Sequence, residues 1–131
     1  MAKIIVKKAN DDNFFTMDVP EREVWHRMQE LVGEDGETAL LDRVHLLDPA
    51  YTFTLYCDEE GLLKKQPLNI LIKTNHPFQP IMPIVGTICF ARGRIVEDDV
   101  EYTDVTDLDI VTVANLIEMS KILEERMKEH E

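Results

Sequence analysis

The sequence predicts an α+β fold: a mainly antiparallel or mixed sheet of about five or six strands, with one helix in the N-terminal half and a long C-terminal helix packed on it. Three observations carry that expectation. The chain opens on two β-like runs joined by turn residues, helical periodicity occurs over residues 19–32 and again from 107 onward, and the apolar segments between alternate or run continuously as strands do. With 131 residues, 44% of them apolar, the length suits a single domain, 1–131, able to bury a core without disulfides or a structural metal.

The β-branched run Ile4-Ile5-Val6 within Lys3–Lys8 reads as the first strand. Asn10 to Asn13 are turn residues, so a second strand at about Phe14–Met17 completes an opening hairpin. Asp18 followed by Glu21, with Pro20 between them, signals a helix start. Val24, Trp25, Met28, Leu31 and Val32 then recur at helical spacing until Gly33, which gives a helix over 19–32 with Trp25 as a core anchor. Gly33 to Gly36 form a connector. Ala39–Leu47 is ambiguous between helix and strand; its second half, Arg43–Leu47, is assigned to strand ahead of the turn Asp48-Pro49-Ala50.

Tyr51, Phe53, Leu55 and Cys57 alternate with Thr52, Thr54 and Tyr56, the pattern of a strand covered on one face. Asp58 to Gly61 make a turn in which Gly61 supplies a positive φ. Leu68–Ile72 is a strand or a short helical turn. Pro77, Pro80 and Pro83 keep residues 75–83 out of a helix and on an extended surface path. Ile84–Ala91 is the most apolar segment and reads as a central strand buried on both faces, Gly86 permitting a close backbone approach. Thr106-Asp107-Leu108-Asp109 resembles a capping box with Asp in place of Glu or Gln, and a helix of about twenty residues follows. Ile110, Val113, Ala114, Ile117, Leu123 and Met127 line one side of it, and Glu124 with Lys128 supplies an i, i+4 pair. Leu116 and Met119, off that stripe, offer a homodimer contact.

The net charge of −12 is concentrated at the C-terminal end, where residues 97–131 hold 12 carboxylates and 3 basic side chains. Glu97, Asp98, Asp99, Glu101, Asp104, Asp107 and Asp109 place seven carboxylates in thirteen residues with no Lys or Arg among them. Direct nucleic-acid binding there is disfavoured, because such affinity comes from cations that displace counterions from phosphate. Imitation of nucleic acid is the sharp alternative. Extended, the stretch carries one charge every ~6–7 Å, against one per ~1.7 Å of duplex axis, so other acids would have to join the same face. The plainer reading is a solvated acidic loop that favours solubility and leads into the helix.

No arrangement of residues announces catalysis. His26, His45, His76 and His130 lie more than four residues from one another and from any cysteine, so zinc-site spacing is absent and no metal is expected. Ser120 falls inside the last helix without a nucleophile elbow, and Cys57 and Cys89 sit in β-like apolar segments where thiols are inert. Phosphate-loop glycine motifs are missing, so no cofactor is expected. A calcium loop starting at Asp98 or Asp99 lacks the Gly and Glu it needs, and an exposed pair of carboxylates has no burial to raise a pKa. No apolar run approaches a membrane span and the N-terminus lacks a signal-peptide core; with two unpaired cysteines, this predicts a cytoplasmic location.

The segment Tyr56-Cys-Asp-Glu-Glu-Gly-Leu-Leu-Lys-Lys-Gln-Pro-Leu-Asn69, followed by Pro83-Ile-Val-Gly-Thr-Ile-Cys-Phe90, resembles a family of short uncharacterised proteins encoded by phages, plasmids and other mobile elements. The resemblance covers about residues 40–92, and the chain departs from the family pattern in its proline-containing insertion at 75–83 and its long final helix. It implies no activity. The expectation is therefore a small acidic, non-enzymatic module that binds a protein with a basic surface, in its sharpest form an antagonist of a host nucleic-acid-binding protein. The competing expectation is a small-molecule binder or enzyme with a pocket between sheet and helices, lined by Tyr56, Asn69 or His76.

Overall fold

Ile4, Ile5 and Val6 lie in the first strand, β1 (Ala2–Lys7), and Asn10, in the left-handed region at φ 67, helps turn the chain back into β2 (Phe15–Val19). The pair is antiparallel with Ala2 opposite Val19 and Val6 opposite Phe15, as the turn chemistry predicts. A single 3-10 turn at Glu21–Glu23 leads into α1 (Val24–Val32), so the helical segment starts later than residue 19. Asp18 does not cap it. It is held extended in β2 opposite Lys3, and Pro20 precedes the 3-10 turn without a side-chain cap. At the other end, Gly33 donates its N–H to the Gln29 carbonyl, which also accepts from Ala39 and so fixes the exit toward β3 (Leu41–His45).

β4 (Phe53–Asp58), β5 (Leu68–Lys73), β6 (Ile81–Val85), β7 (Ile88–Val96), β8 (Asp99–Thr103) and α2 (Asp107–Glu129) complete the fold. The computed structural model describes residues 1–33, 36–45, 53–74 and 77–129. The expected turn at 48–50, the strand residues Leu46, Leu47, Tyr51 and Thr52, connector residues Glu34 and Asp35, and His76 and His130 lie outside the described residues. All strand pairings are antiparallel. Six strands form one sheet in the order β2-β1-β7-β4-β3, with β8 along the far half of β7, and β5 and β6 form a separate hairpin.

Both faces of the large sheet are covered because its central strands present apolar side chains alternately to each. On one face Ile5, Phe53, Leu55, Ile88 and Phe90 pack with Ile70, Ile72 and Ile84 of the hairpin and Val113 and Ile117 of α2. On the other, Ile4, Val6, Tyr56, Cys89 and Ala91 pack with Val24, Met28 and Val32 of α1. The antiparallel α+β class and the two helices agree with the sequence reading, while eight strands lie among the described residues.

Three local expectations change, each for a reason of tertiary packing. Ile84–Ala91 is two strands, not one: Gly86, at φ +74, turns the chain from β6 of the hairpin into β7 of the large sheet. β4 is buried on both faces, since Thr54 is buried and Tyr56 packs in the α1 layer. The two glycine roles exchange. Gly61 is needed for proximity, because a Cβ there would come within 2.7 Å of the Val85 side chain, whereas Gly86 supplies the positive φ as well as a close approach to Gln66. Pro83 lies inside β6, opposite Leu71, in a two-stranded hairpin whose outer side asks for no N–H from it.

Candidate functional site

The acidic stretch is not a loop. β7 continues through Arg92, Gly93 and Arg94 and returns as β8, with Arg94 opposite Glu101 and Val96 opposite Asp99, so the carboxylates ride on a hairpin. Gly93 allows the two strands to close, since a Cβ would meet Val100 Cγ1 at 2.8 Å and the Glu101 carbonyl at 3.1 Å. Glu97, in the left-handed region at φ 57, and Asp98 form the exposed turn.

The seven acidic residues separate into different roles. Asp99 accepts the Val100 N–H at 2.8 Å, and both carboxylate oxygens of Glu101 accept from Arg94 Nη2 at 3.2 Å. Asp104 accepts the Lys3 N–H at 2.8 Å, tying the exit of β8 to β1. Asp107 is exposed at the start of α2. Asp109 leaves the surface set altogether: it is 3% exposed and bound by Arg92, with Nε to Oδ2 and Nη2 to Oδ1 both at 2.6 Å. It also completes the capping box, donating its N–H to Thr106 Oγ1 at 3.1 Å and accepting the Thr106 N–H at 2.8 Å. Burial pushes the Asp109 carboxyl up, but the Arg92 and Thr106 hydrogen bonds outweigh it and hold the pKa below the ordinary value.

β8 and the 3-10 turn face each other across an open cleft of about 560 Å³. Glu21, Glu97, Asp99 and Glu101 bring carboxylates to it, against Arg22, and Trp25, Val100 and Tyr102 give it an aromatic and apolar floor. Trp25 is half-buried, edge-on to Tyr56 at 5.9 Å, with the Arg43 guanidinium 4.9 Å above its ring. Tyr102 is buried, and burial together with its hydrogen-bonded neighbour Tyr56 pushes its hydroxyl well above the ordinary range, so it stays protonated. The sequence reading placed Trp25 in the core and did not include Glu21 or Tyr102. The available signal was the position of Trp25 at the margin of its helical stripe.

Of the residues expected to line a pocket between sheet and helices, Tyr56 and Asn69 lie among the described residues and are engaged in different places. Asn69 is buried and fully engaged: Nδ2 donates to the Lys7 carbonyl at 2.9 Å and the Gly86 carbonyl at 2.7 Å, and Oδ1 accepts from Lys7 Nζ at 2.7 Å. Burial lowers the pKa of Lys7 against the opposing pull of Asp11 and Asp12. Tyr56 borders a void of about 30 Å³. Ser120 Oγ accepts the Leu71 N–H at 2.8 Å and joins α2 to β5. Cys57 and Cys89 are buried free thiols, both pushed up to about 12 by burial. Among the described residues no group of three His, Cys, Asp or Glu side chains is placed to hold a metal, and no helix is long and apolar enough to cross a membrane.

Fold and site together define an antiparallel α+β protein with an open acidic–aromatic cleft at the edge of its sheet. The chain belongs to the DUF3846 family, described as a domain of unknown function, whose model matches residues 16–118. That match runs from β2 into α2 and takes in the whole cleft. Comparison with curated proteins and with solved structures gave no match.

Proposed function

We propose that this chain is a small acidic, non-enzymatic protein-binding module whose cleft between β8 and the 3-10 turn receives basic side chains of a protein partner. The single observation behind this reading is the convergence of Glu21 with Glu97, Asp99 and Glu101 on a cleft that Trp25 also lines. Carboxylates beside an aromatic face suit a guanidinium or ammonium group, which gains both charge pairing and a cation–π contact. Six of the seven acids of the stretch remain exposed, and Glu21 adds to them from a distant part of the sequence. That convergence supports the sharper form, a mobile-element antagonist that occupies the basic surface of a host nucleic-acid-binding protein. A cytoplasmic setting belongs to the same proposal.

A second reading rests on the size of the cleft, which falls within the roughly 300–1,000 Å³ of small-molecule sites. On that reading the occupant is a small organic cation held by the same residues.

Trp25 is the one tryptophan of the sequence, so its fluorescence reports on the cleft directly. Titration with an arginine-rich peptide at low salt is expected to change that emission, and added salt is expected to reverse the change. The amide variant Glu21→Gln, Glu97→Gln, Asp99→Asn, Glu101→Gln is expected to abolish the response while keeping the fold. Peptide binding that survives in the amide variant, or that leaves Trp25 emission unaltered, refutes the assignment. A response to arginine or a small quaternary ammonium salt matching that to the peptide selects the second reading.

A further inference from the structure

A second groove, of about 510 Å³, lies where the turn end of the β5–β6 hairpin meets the last turns of α2, lined by Lys73, Ile81, Leu123, Arg126 and Met127. Lys73 and Ile81 are directly opposed across the hairpin, and opposed residues of an antiparallel pair share a face. Leu123, Arg126 and Met127 stand three and four residues apart on α2 and so share a face of the helix. Leu123 is buried, Ile81 half-buried and Met127 half exposed, the last an unbranched side chain that adapts to the shape of what it touches. Of the two helix residues expected at a dimer contact, Leu116 packs against the core and Met119 is exposed, and neither lines this groove.

The charge of the lining is the reverse of the chain's. The sequence holds 26 Asp and Glu against 14 Lys and Arg, and the β8 cleft brings four carboxylates together; this groove has two cations and, among the described residues, no carboxylate. Lys73 and Arg126 are both exposed, and neither forms an ion pair among the described residues. We propose that the groove binds the monomeric anion of a straight-chain fatty acid, with its hydrocarbon tail on Ile81, Leu123 and Met127 and its carboxylate paired with Lys73 and Arg126. Apolar walls reward burial of a hydrocarbon tail. The two cations select an anionic head over a neutral one, Arg126 offering the forked donors that fit a carboxylate. Their aliphatic stems lengthen the apolar surface while their charges stay in water, so the ligand's head keeps part of its hydration. The size lies within the roughly 300–1,000 Å³ of small-molecule sites. The net charge of −12 acts mainly from beyond the ~10 Å over which salt at 0.1 M screens exposed charges, which leaves the two adjacent cations to decide the sign. The site shares no residue with the β8 cleft and stands independently of what that cleft binds.

The test is calorimetric titration of the full chain with octanoate, decanoate and dodecanoate below their micelle concentrations, with decanol as the uncharged control. One decanoate per chain is expected to bind, with affinity rising about two- to fourfold per added methylene. Decanol is expected to bind about tenfold more weakly. Lys73→Gln combined with Arg126→Gln is expected to remove that preference for the acid and leave decanol binding unchanged, and Met127→Glu is expected to abolish binding of the acid. Both substitutions fall on exposed residues, and circular dichroism is expected to be unaltered. Absence of decanoate binding overturns the proposal, as does an affinity that does not change with chain length, which marks an anion held on the surface only. Equal affinity for decanol and decanoate in the unaltered chain also overturns it, whatever the variants do, and so does binding seen only with fatty-acid vesicles or micelles.

Discussion

Replacing Asp109 with Ala removes two things at once, the capping-box acceptor at the start of α2 and the partner of Arg92. Loss of a helix N-terminal acceptor costs about 1 kcal/mol. Breaking a fully buried ion pair costs about 3–5 kcal/mol, because the remaining charge is left desolvated. The Arg92 side chain is 27% exposed, so solvent recovers part of that and about 2 kcal/mol remains. The expected total is about 3 kcal/mol; at a urea m-value of about 1.5 kcal/mol/M it lowers the unfolding midpoint by about 2 M. Arg92→Met keeps an aliphatic stem near the Phe53 ring, 5.6 Å from the guanidinium, and is expected to cost about 2 kcal/mol. If the pair is the common cause, the double variant loses about 3 kcal/mol, not about 5, a coupling of about 2 kcal/mol. Additive losses would show that the 2.6 Å contacts couple nothing and refute the reasoning. The pH dependence has a definite sign. Because the native Asp109 pKa is depressed, its stabilisation is complete above the ordinary carboxylate pKa and disappears as pH falls through the lower native value. The gap between wild type and Asp109→Ala is therefore expected to narrow in acid.

Two further outcomes follow from buried geometry. Gly86→Ala combines a φ of +74 with a Cβ 2.5 Å from Gln66 Oε1, whereas Gly36→Ala has a φ of +80 and open space around it. Thermal unfolding is expected to show a loss of roughly 1 kcal/mol at Gly36, the conformational penalty alone, and at least about twice that at Gly86; equal losses would mean that the contact with Gln66 relaxes freely. Cys57 and Cys89, both pushed up to about 12, are expected to resist thiol reagents at pH 8 until urea unfolds the chain, and rapid labelling of either in native buffer would contradict its burial.

The sequence alone determined those features that nearest neighbours in the chain control. The β1–β2 hairpin follows from a β-branched run and a turn cluster a few residues apart, and the capping box at Thr106 and Asp109 closes across three residues, so both are legible locally. Tertiary contacts decided the rest. Whether Ile84–Ala91 is one strand or two depends on Gly86 standing beside Gln66 and Asn69, which local apolar content does not encode. The acidic stretch reads as a loop in sequence, because only alignment of Arg94 with Glu101 and Gly93 with Tyr102 turns it into a hairpin. Asp109 counted with its exposed neighbours until Arg92, seventeen residues earlier, drew it inside. Glu21 and Trp25 lie more than seventy residues from Asp99, and they meet it only because β8 and the 3-10 turn face each other across the cleft. Local chemistry fixes the type of each element; which side chains share a surface is set by packing between elements far apart in the chain, where sequence spacing carries no distance.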